Sequence, residues 1–225
     1  ITDIPVVFAV VAAPVSVGLV ADLSRSARNL TGVFHVAPTK AQLQAIRTYR
    51  PFEKIGVIHT PTESNSSVIV EELQALARAE KFALLTEAFP LENGRPSASN
   101  SEALVARLKQ RGAQWLYLPP DSFLTSHAAG QVIPAAHALN LPTFASTEQL
   151  MNAGALAGLV SRYAAIGAFA GYKAEQILRG KPAGEIPIET LSRYAYLVNF
   201  KVARALKCVP PLSMFGYLEP MPGDA

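Results

Sequence analysis

The chain has 225 residues, half of them hydrophobic and 16% charged, so its composition favours a folded α/β core over disorder. The formal net charge of +3 is spread along the chain, and no zinc-finger or RNA-binding motif is present, which argues against a nucleic-acid partner. The single cysteine, Cys208, excludes an internal disulfide, and no metal-ligand cluster accompanies it.

Short apolar runs alternate with helical patterns along the whole chain. Residues 4–11 predict a buried strand, residues 17–23 a short helix, residues 30–35 a second strand and residues 40–50 a longer helix. This alternation, joined by short connections, predicts an α/β fold with a parallel sheet and helices on both faces. The later predicted strands are 54–59, 83–89, 114–118, 142–146, 156–163 and 186–198, and the later predicted helices are 68–81, 102–111, 126–140, 166–179 and 200–207.

A polar turn at residues 60–67 separates a predicted strand from a predicted helix. The free backbone N–H groups at a helix start, together with the helix dipole, attract an anion such as a carboxylate. We therefore predict that Thr62, Ser64, Asn65 and Ser66 bind a ligand carboxylate. The alternative is that one of the serines only caps the helix.

Other polar turns should lie at the same edge of the sheet, because right-handed crossovers place all strand-to-helix turns on one side. Asp121 follows a predicted strand and two prolines, and its carboxylate could accept hydrogen bonds from a ligand amine. The alternative is that Asp121 caps the helix that follows. Ser146 and Arg162 are further, lesser candidates for ligand contacts.

Aromatic residues near these turns could form an apolar wall for the ligand. Tyr117, Phe123 and Phe89 are candidates, whereas Trp115 is expected in the core. No nucleophile elbow, zinc-protease motif or nucleotide-binding loop is present. His59, at the end of a predicted strand, is the best candidate base, but a structural role is expected. We predict no catalytic residue, no metal and no cofactor.

A series of short motifs with a characteristic order and spacing covers nearly the whole chain. In these motifs the sequence resembles the TrpX-like group of solute-binding proteins of bacterial ABC transporters. Two departures stand out: Ala13 replaces the usual Asp, and Ser26, Ala27 and Arg28 replace the usual Pro-Gly pair. The motifs are TDIPVVF (2–8), APV (13–15), GLV (18–20), NLTGV (29–33), KIGVI (54–58), NS (65–66), PPDS (119–122), ILRGKP (177–182), IPI (186–188) and Asn199.

The resemblance implies a type I periplasmic-binding-protein fold, in which two α/β lobes with parallel sheets flanked by helices close on a ligand. It implies an N-terminal lobe of residues 1–50 plus 151–184 and a C-terminal lobe of residues 51–150 plus 185–225. Similar proteins carry further βα units before the segment 4–11. The first lobe is therefore expected to be incomplete, with an open strand edge through which a homodimer could form.

The resemblance also implies the function. We expect a solute-binding component of an ABC importer that captures an amino acid or related carboxylate, with aromatic amino acids among the candidates. Its partners would be the ligand and a membrane permease, and it would be periplasmic or lipid-anchored outside the cytoplasmic membrane. The chain begins at Ile1 and shows no signal-peptide pattern, so we expect a removed leader or a fragment. The alternatives are a ligand-sensing domain of a receptor or regulator and, less favoured, a hydrolase.

Overall fold

The structure is a computed structural model that describes residues 3–26 and 28–222. Ile1, Thr2, Ala27 and residues 223–225 lie outside the described residues. They belong to the predicted lobe ranges, Thr2 also to the motif of residues 2–8 and Ala27 also to the second departure from the family pattern.

Strands and helices alternate through the described residues. A π-helical segment, Ala128–Val132, joins the fourth helix to the fifth. The strands are β1 (Val6–Val11), β2 (Leu30–Phe34), β3 (Lys54–His59), β4 (Ala83–Ala88), β5 (Leu91–Glu92), β6 (Arg95–Pro96), β7 (Trp115–Leu118), β8 (Thr143–Ala145), β9 (Ala157–Val160), β10 (Ala195–Val198) and β11 (Leu218–Pro220). The helices are α1 (Thr39–Tyr49), α2 (Ser64–Glu80), α3 (Ser101–Gln110), α4 (Ser122–His127), α5 (Ile133–Ala138), α6 (Glu148–Asn152), α7 (Tyr163–Leu178) and α8 (Phe200–Ala205).

The chain divides into two compact units, each of which is formed by two segments. Unit 1 contains Ile1–Ala37 and Ser161–Tyr194, and unit 2 contains Pro38–Val160 and Ala195–Ala225. These limits differ by about ten residues from the predicted lobes, because α1 packs against β9 within unit 2. Whether the two units are the two lobes of a ligand-binding protein stays a prediction.

Unit 2 is built on a seven-stranded sheet in the order β11-β10-β9-β8-β7-β3-β4. All neighbouring pairs are parallel except β9 and β10, which are antiparallel. The predicted α/β fold with a mostly parallel sheet is confirmed. Because the sheet is parallel from β4 to β9, the turns after β3, β7 and β8 emerge at one edge of it.

Both faces of this sheet are buried, which explains the continuous apolar runs in its strands. Val57 of β3 and Tyr117 of β7 point into a core that includes residues of α1 and α2. Ile58 and Leu118, one position further along, point into the opposite core, which includes residues of α3 and α5. Because successive side chains of a strand alternate between the two faces of the sheet, the register of each strand determines which of its side chains enters which core.

Unit 1 pairs β1 with β2 in parallel, and α7 packs on both strands. Glu189 extends this pairing through a parallel bridge to Val33. Lys173 of α7 is buried and donates hydrogen bonds to the Pro187 carbonyl and, at 2.7 Å, to the Glu189 carboxylate. Among the described residues, β1 has no strand partner on its other edge. Self-association through that edge stays a prediction, which sedimentation at increasing concentration would check.

Several predicted helices differ from those of the structure. Residues 17–23 form turns, because Gly18 adopts a positive φ of 71° that ends the helical path after one turn. Helix α2 begins four residues earlier than predicted, and α4 begins at Ser122 rather than at residue 126. The earlier start of α2 places Ser64, Asn65 and Ser66 in its first turn.

Candidate functional site

Two turns, after β3 and after β7, are joined by the buried carboxylate of Asp121. One carboxylate oxygen accepts hydrogen bonds from the Thr60 hydroxyl and the Leu124 N–H, both at 2.8 Å. The other accepts from the Thr60 N–H at 2.7 Å and the Ser66 hydroxyl at 2.6 Å. The capping alternative is therefore what the structure shows. The predicted contact with a ligand amine stays a prediction, and it would have to displace one of these four bonds.

Two further side chains lock the same pair of turns together. Glu63, the residue before α2, accepts hydrogen bonds from the N–H groups of Ser122 and Phe123, at 2.8 and 2.9 Å. Asn65 donates from its side-chain amide to the Pro120 carbonyl at 2.6 Å. The prediction that the two turns share one edge of the sheet is confirmed. The N–H groups at the start of α4 are thereby occupied by protein carboxylates.

The N-terminus of α2 is left open by this arrangement. The N–H groups of Ser64, Asn65 and Ser66 have no acceptor among the residues that the structure describes. No side chain caps this helix, and its first turn contains no acidic residue. The Glu63 carboxylate, which precedes the helix, is directed to α4 instead. A helix of 17 residues with unsatisfied N–H groups can hold a carboxylate at this end.

The remaining predicted residues take different places. Thr62 and Ser64 are exposed, whereas Ser66 is buried against Asp121. Ser146 follows β8 at the same sheet edge, and its buried hydroxyl has no hydrogen-bond partner in the described part of the chain. Arg162 belongs to unit 1, where it precedes α7. The structure therefore brings together the predicted residues of unit 2, and their roles in binding stay predictions.

The predicted aromatic wall is mostly interior. Tyr117 and Phe89 lie in the cores of unit 2, as does Trp115, for which a core position was predicted. Phe123 is half-buried and packs edge-on against Phe89 and, in a tilted arrangement, against His127. Only Phe123 therefore offers partly accessible aromatic surface within this set.

His59 ends β3 beside the two turns. Burial lowers the pKa of its imidazole, while the nearby Asp121 carboxylate acts in the opposite direction. Its Nδ1 atom is buried and has no hydrogen-bond partner among the described residues, so no nucleophile is paired with this nitrogen. Within these residues no group of three or more potential metal ligands occurs, and no helix is long and apolar enough to cross a membrane.

Sequence reasoning missed Glu63, which is central to this site. Its partners lie about 59 positions away in the chain, and nothing in the local pattern links an acid before one helix to the start of another. The shared edge of β3 and β7 was the only signal, and it identified the two turns without identifying the side chains that join them.

Comparison with known proteins identifies the family. Residues 1–212 match the family model described as ABC transporter substrate binding protein. The "Tyrosine-binding protein" of Clostridioides difficile (strain R20291) is 30% identical over 205 residues, which are 91% of this chain and 57% of that protein. The chain thus spans less than two thirds of this curated relative.

Two solved structures share the fold at 24% sequence identity. A conserved domain protein from Vibrio cholerae O1 biovar eltor has a TM-score of 0.84, with 98% of this chain and 72% of that chain covered. An ABC domain from Streptococcus pneumoniae in complex with L-Trp has a TM-score of 0.80, with 98% and 74% covered. The family model covers most of the sequence, and the chain therefore belongs to the ABC transporter substrate-binding proteins.

Proposed function

We propose that this chain is the ligand-capturing part of the solute-binding component of a bacterial ABC importer, with an amino acid or related carboxylate as its ligand. The observation that carries the proposal is the unsatisfied N-terminus of α2, which stands beside two turns held rigid by Glu63 and Asp121. The relative named for tyrosine and the similar fold solved with L-Trp support aromatic amino acids as first candidates.

The ligand carboxylate accepts hydrogen bonds from the N–H groups of Ser64, Asn65 and Ser66, as an anion does at other helix N-termini. The Thr62 and Ser64 hydroxyls are exposed nearby and add donors. Asp121 and Glu63 act as positioning residues, because their carboxylates are engaged in holding the turns. Such preorganisation reduces the entropy that binding would otherwise cost.

The wider role belongs to the same proposal. The protein captures its ligand between two lobes without transforming it and delivers it to a permease outside the cytoplasmic membrane. Ser146 and Arg162 contribute lesser contacts to this capture. Family membership supports transport, and His59 has no nucleophile as a partner in the described residues, which does not favour a hydrolase.

A pair of variants at Ser64 tests the proposed carboxylate site. Ser64 is the first residue of α2, where proline is well tolerated, and Glu63 has the extended backbone, with φ −99° and ψ 118°, that a following proline requires. Ser64→Pro removes one N–H donor, whereas the control Ser64→Ala keeps it. Calorimetric titration with L-tyrosine should show affinity roughly 10- to 150-fold lower for Ser64→Pro than for Ser64→Ala. Equal affinities of the two variants would contradict the site.

A further inference from the structure

An open groove in unit 2 is lined by the β5–β6 hairpin and by α4. Its volume is about 600 Å³, and its lining consists of the hairpin, residues 97–98, Phe123 and His127. This volume lies within the range of pockets that bind small molecules. All of these residues belong to unit 2, which also contains the N-terminus of α2.

Glu63 links this groove to the start of α2. It directly precedes Ser64, whose N–H we assign to the ligand carboxylate, and its own carboxylate accepts the Phe123 N–H at 2.9 Å. A single side chain thus connects the proposed position of the ligand carboxylate with a residue that lines the groove. Because one methylene joins the ring of an aromatic amino acid to its α-carbon, we expect the ring of a ligand held at α2 to reach the groove.

Phe123 provides aromatic surface in this groove. Its half-buried ring packs edge-on against the buried Phe89, with centroids 5.0 Å apart. A tilted contact with the His127 ring, at 4.3 Å between centroids, supports it further. A phenyl ring that is held by two neighbours and still partly exposed can pack against the ring of a ligand.

The hydrogen bonding of His127 determines what its second ring nitrogen can bind. Its Nδ1 atom lies 2.8 Å from the Phe123 carbonyl oxygen, and a carbonyl only accepts hydrogen bonds, so Nδ1 carries a proton. In the neutral ring Nε2 is therefore an acceptor. Within residues 3–26 and 28–222, Nε2 has no hydrogen-bond partner. A donor on a ligand in the groove would supply one.

We propose that this groove holds the side chain of the ligand, with its ring against Phe123 and with His127 Nε2 accepting a hydrogen bond from a donor on that ring. The inference rests on the proposed amino-acid binding function and names the ligand class, aromatic amino acids whose ring carries an O–H or N–H group. The tyrosine hydroxyl and the tryptophan indole N–H are such donors, whereas phenylalanine has none. Sites that hydrogen-bond a ligand group discriminate against analogues that lack it.

The first test compares three amino acids by calorimetric titration of the unaltered protein. L-tyrosine and L-tryptophan should each bind about tenfold more tightly than L-phenylalanine, because only they donate a hydrogen bond to Nε2. The variant His127→Phe keeps an aromatic ring and removes Nε2. It should lower the affinities for tyrosine and tryptophan by about tenfold and should not lower the affinity for phenylalanine.

The second test addresses the aromatic contact. Phe123→Leu keeps an apolar side chain but removes the ring, and it should lower the affinity for all three amino acids by about two- to tenfold. The matched control is Phe215→Leu, at an exposed phenylalanine of the same unit that does not line the groove. This control should change none of the three affinities.

The outcomes separate this inference from the function on which it rests. Equal affinities for the three amino acids in the unaltered protein would overturn it, and this comparison requires no variant to fold. An equal loss of all three affinities in His127→Phe would also overturn it, since His127 would then act without regard to the ring donor. Unchanged affinities in Phe123→Leu would do the same.

A complete failure of the three amino acids to bind has its own meaning. The assignment of the groove to an aromatic side chain would then be wrong. Binding of another amino acid or carboxylate would leave the proposed function standing, whereas binding of none would end both.

Discussion

Replacing Asp121 by asparagine should be strongly destabilising, although the two side chains have nearly the same shape. The Asp121 carboxylate accepts four hydrogen bonds, from the Thr60 N–H, the Thr60 and Ser66 hydroxyls and the Leu124 N–H, at 2.6 to 2.8 Å. An amide has one oxygen that can accept two bonds, and its NH2 group would face two donors. At least two of the four bonds are therefore lost in Asp121→Asn.

The size of the effect follows from these bonds. A hydrogen bond to a charged group contributes about 1.5–3 kcal/mol, so two lost bonds lower the free energy of unfolding by about 3–6 kcal/mol. For a chain of this length that corresponds to a fall in Tm of at least about 6 °C. Because Asp121 is buried, solvent does not replace the lost partners.

Urea unfolding followed by tryptophan fluorescence measures this change in unit 2. The protein has a single tryptophan, Trp115, which lies in the core of that unit, so its emission reports the unfolding of the surrounding sheet. The matched control is Asp22→Asn at an exposed aspartate of unit 1, which should leave the transition in place. A free energy of unfolding for Asp121→Asn within about 0.5 kcal/mol of the unaltered protein would refute the assigned role.

Two further predictions concern stability. Lys173→Met should lower the free energy of unfolding by about 1–3 kcal/mol, measured by circular dichroism. The Pro187 carbonyl loses its charged donor and keeps only the longer bond, at 3.2 Å, from the Thr31 hydroxyl, while the exposed Glu189 carboxylate stays solvated. An unchanged transition would contradict this prediction. Burial lowers the pKa of His35, His59 and His137 in the folded protein. Below the pKa of about 6.5 that histidine has in the unfolded chain, the unfolded state therefore binds more protons than the folded state. The free energy of unfolding should fall as the pH drops from about 6.5 through the lower pKa values of the folded protein. Urea midpoints that do not change between pH 7.5 and pH 5 would exclude this effect.

The sheet of unit 2 could be predicted in large part because its strands are covered on both faces. Runs such as residues 54–59 and 114–118 are apolar throughout, which is the pattern of a buried parallel strand. The strand pattern at residues 186–198 was less informative. Only its last four residues form β10, and β10 runs antiparallel to β9. Strand direction depends on the path of the intervening chain, which apolar pattern does not record.

The site was predicted only in outline. The polar composition of residues 60–67 identified the turn, but both serine and asparagine can occupy a cap or a first turn, so the start of α2 was placed too late. Asp121 looked equally suited to a ligand and to a cap, and only its four donors distinguish the two. Ser146 was a predicted candidate because it follows a strand, but the burial of its hydroxyl could not be predicted, because serine is usually exposed.

The most direct test of the central claim is to follow the backbone amides of α2 by NMR during ligand addition. In 15N-labelled protein the N–H resonances of Ser64, Asn65 and Ser66 should move downfield when L-tyrosine, or another amino acid that binds, is added. Tyramine, which lacks the carboxylate, should not move them. If these three resonances keep their positions while a bound amino acid perturbs other parts of the protein, the carboxylate lies elsewhere and the account is wrong.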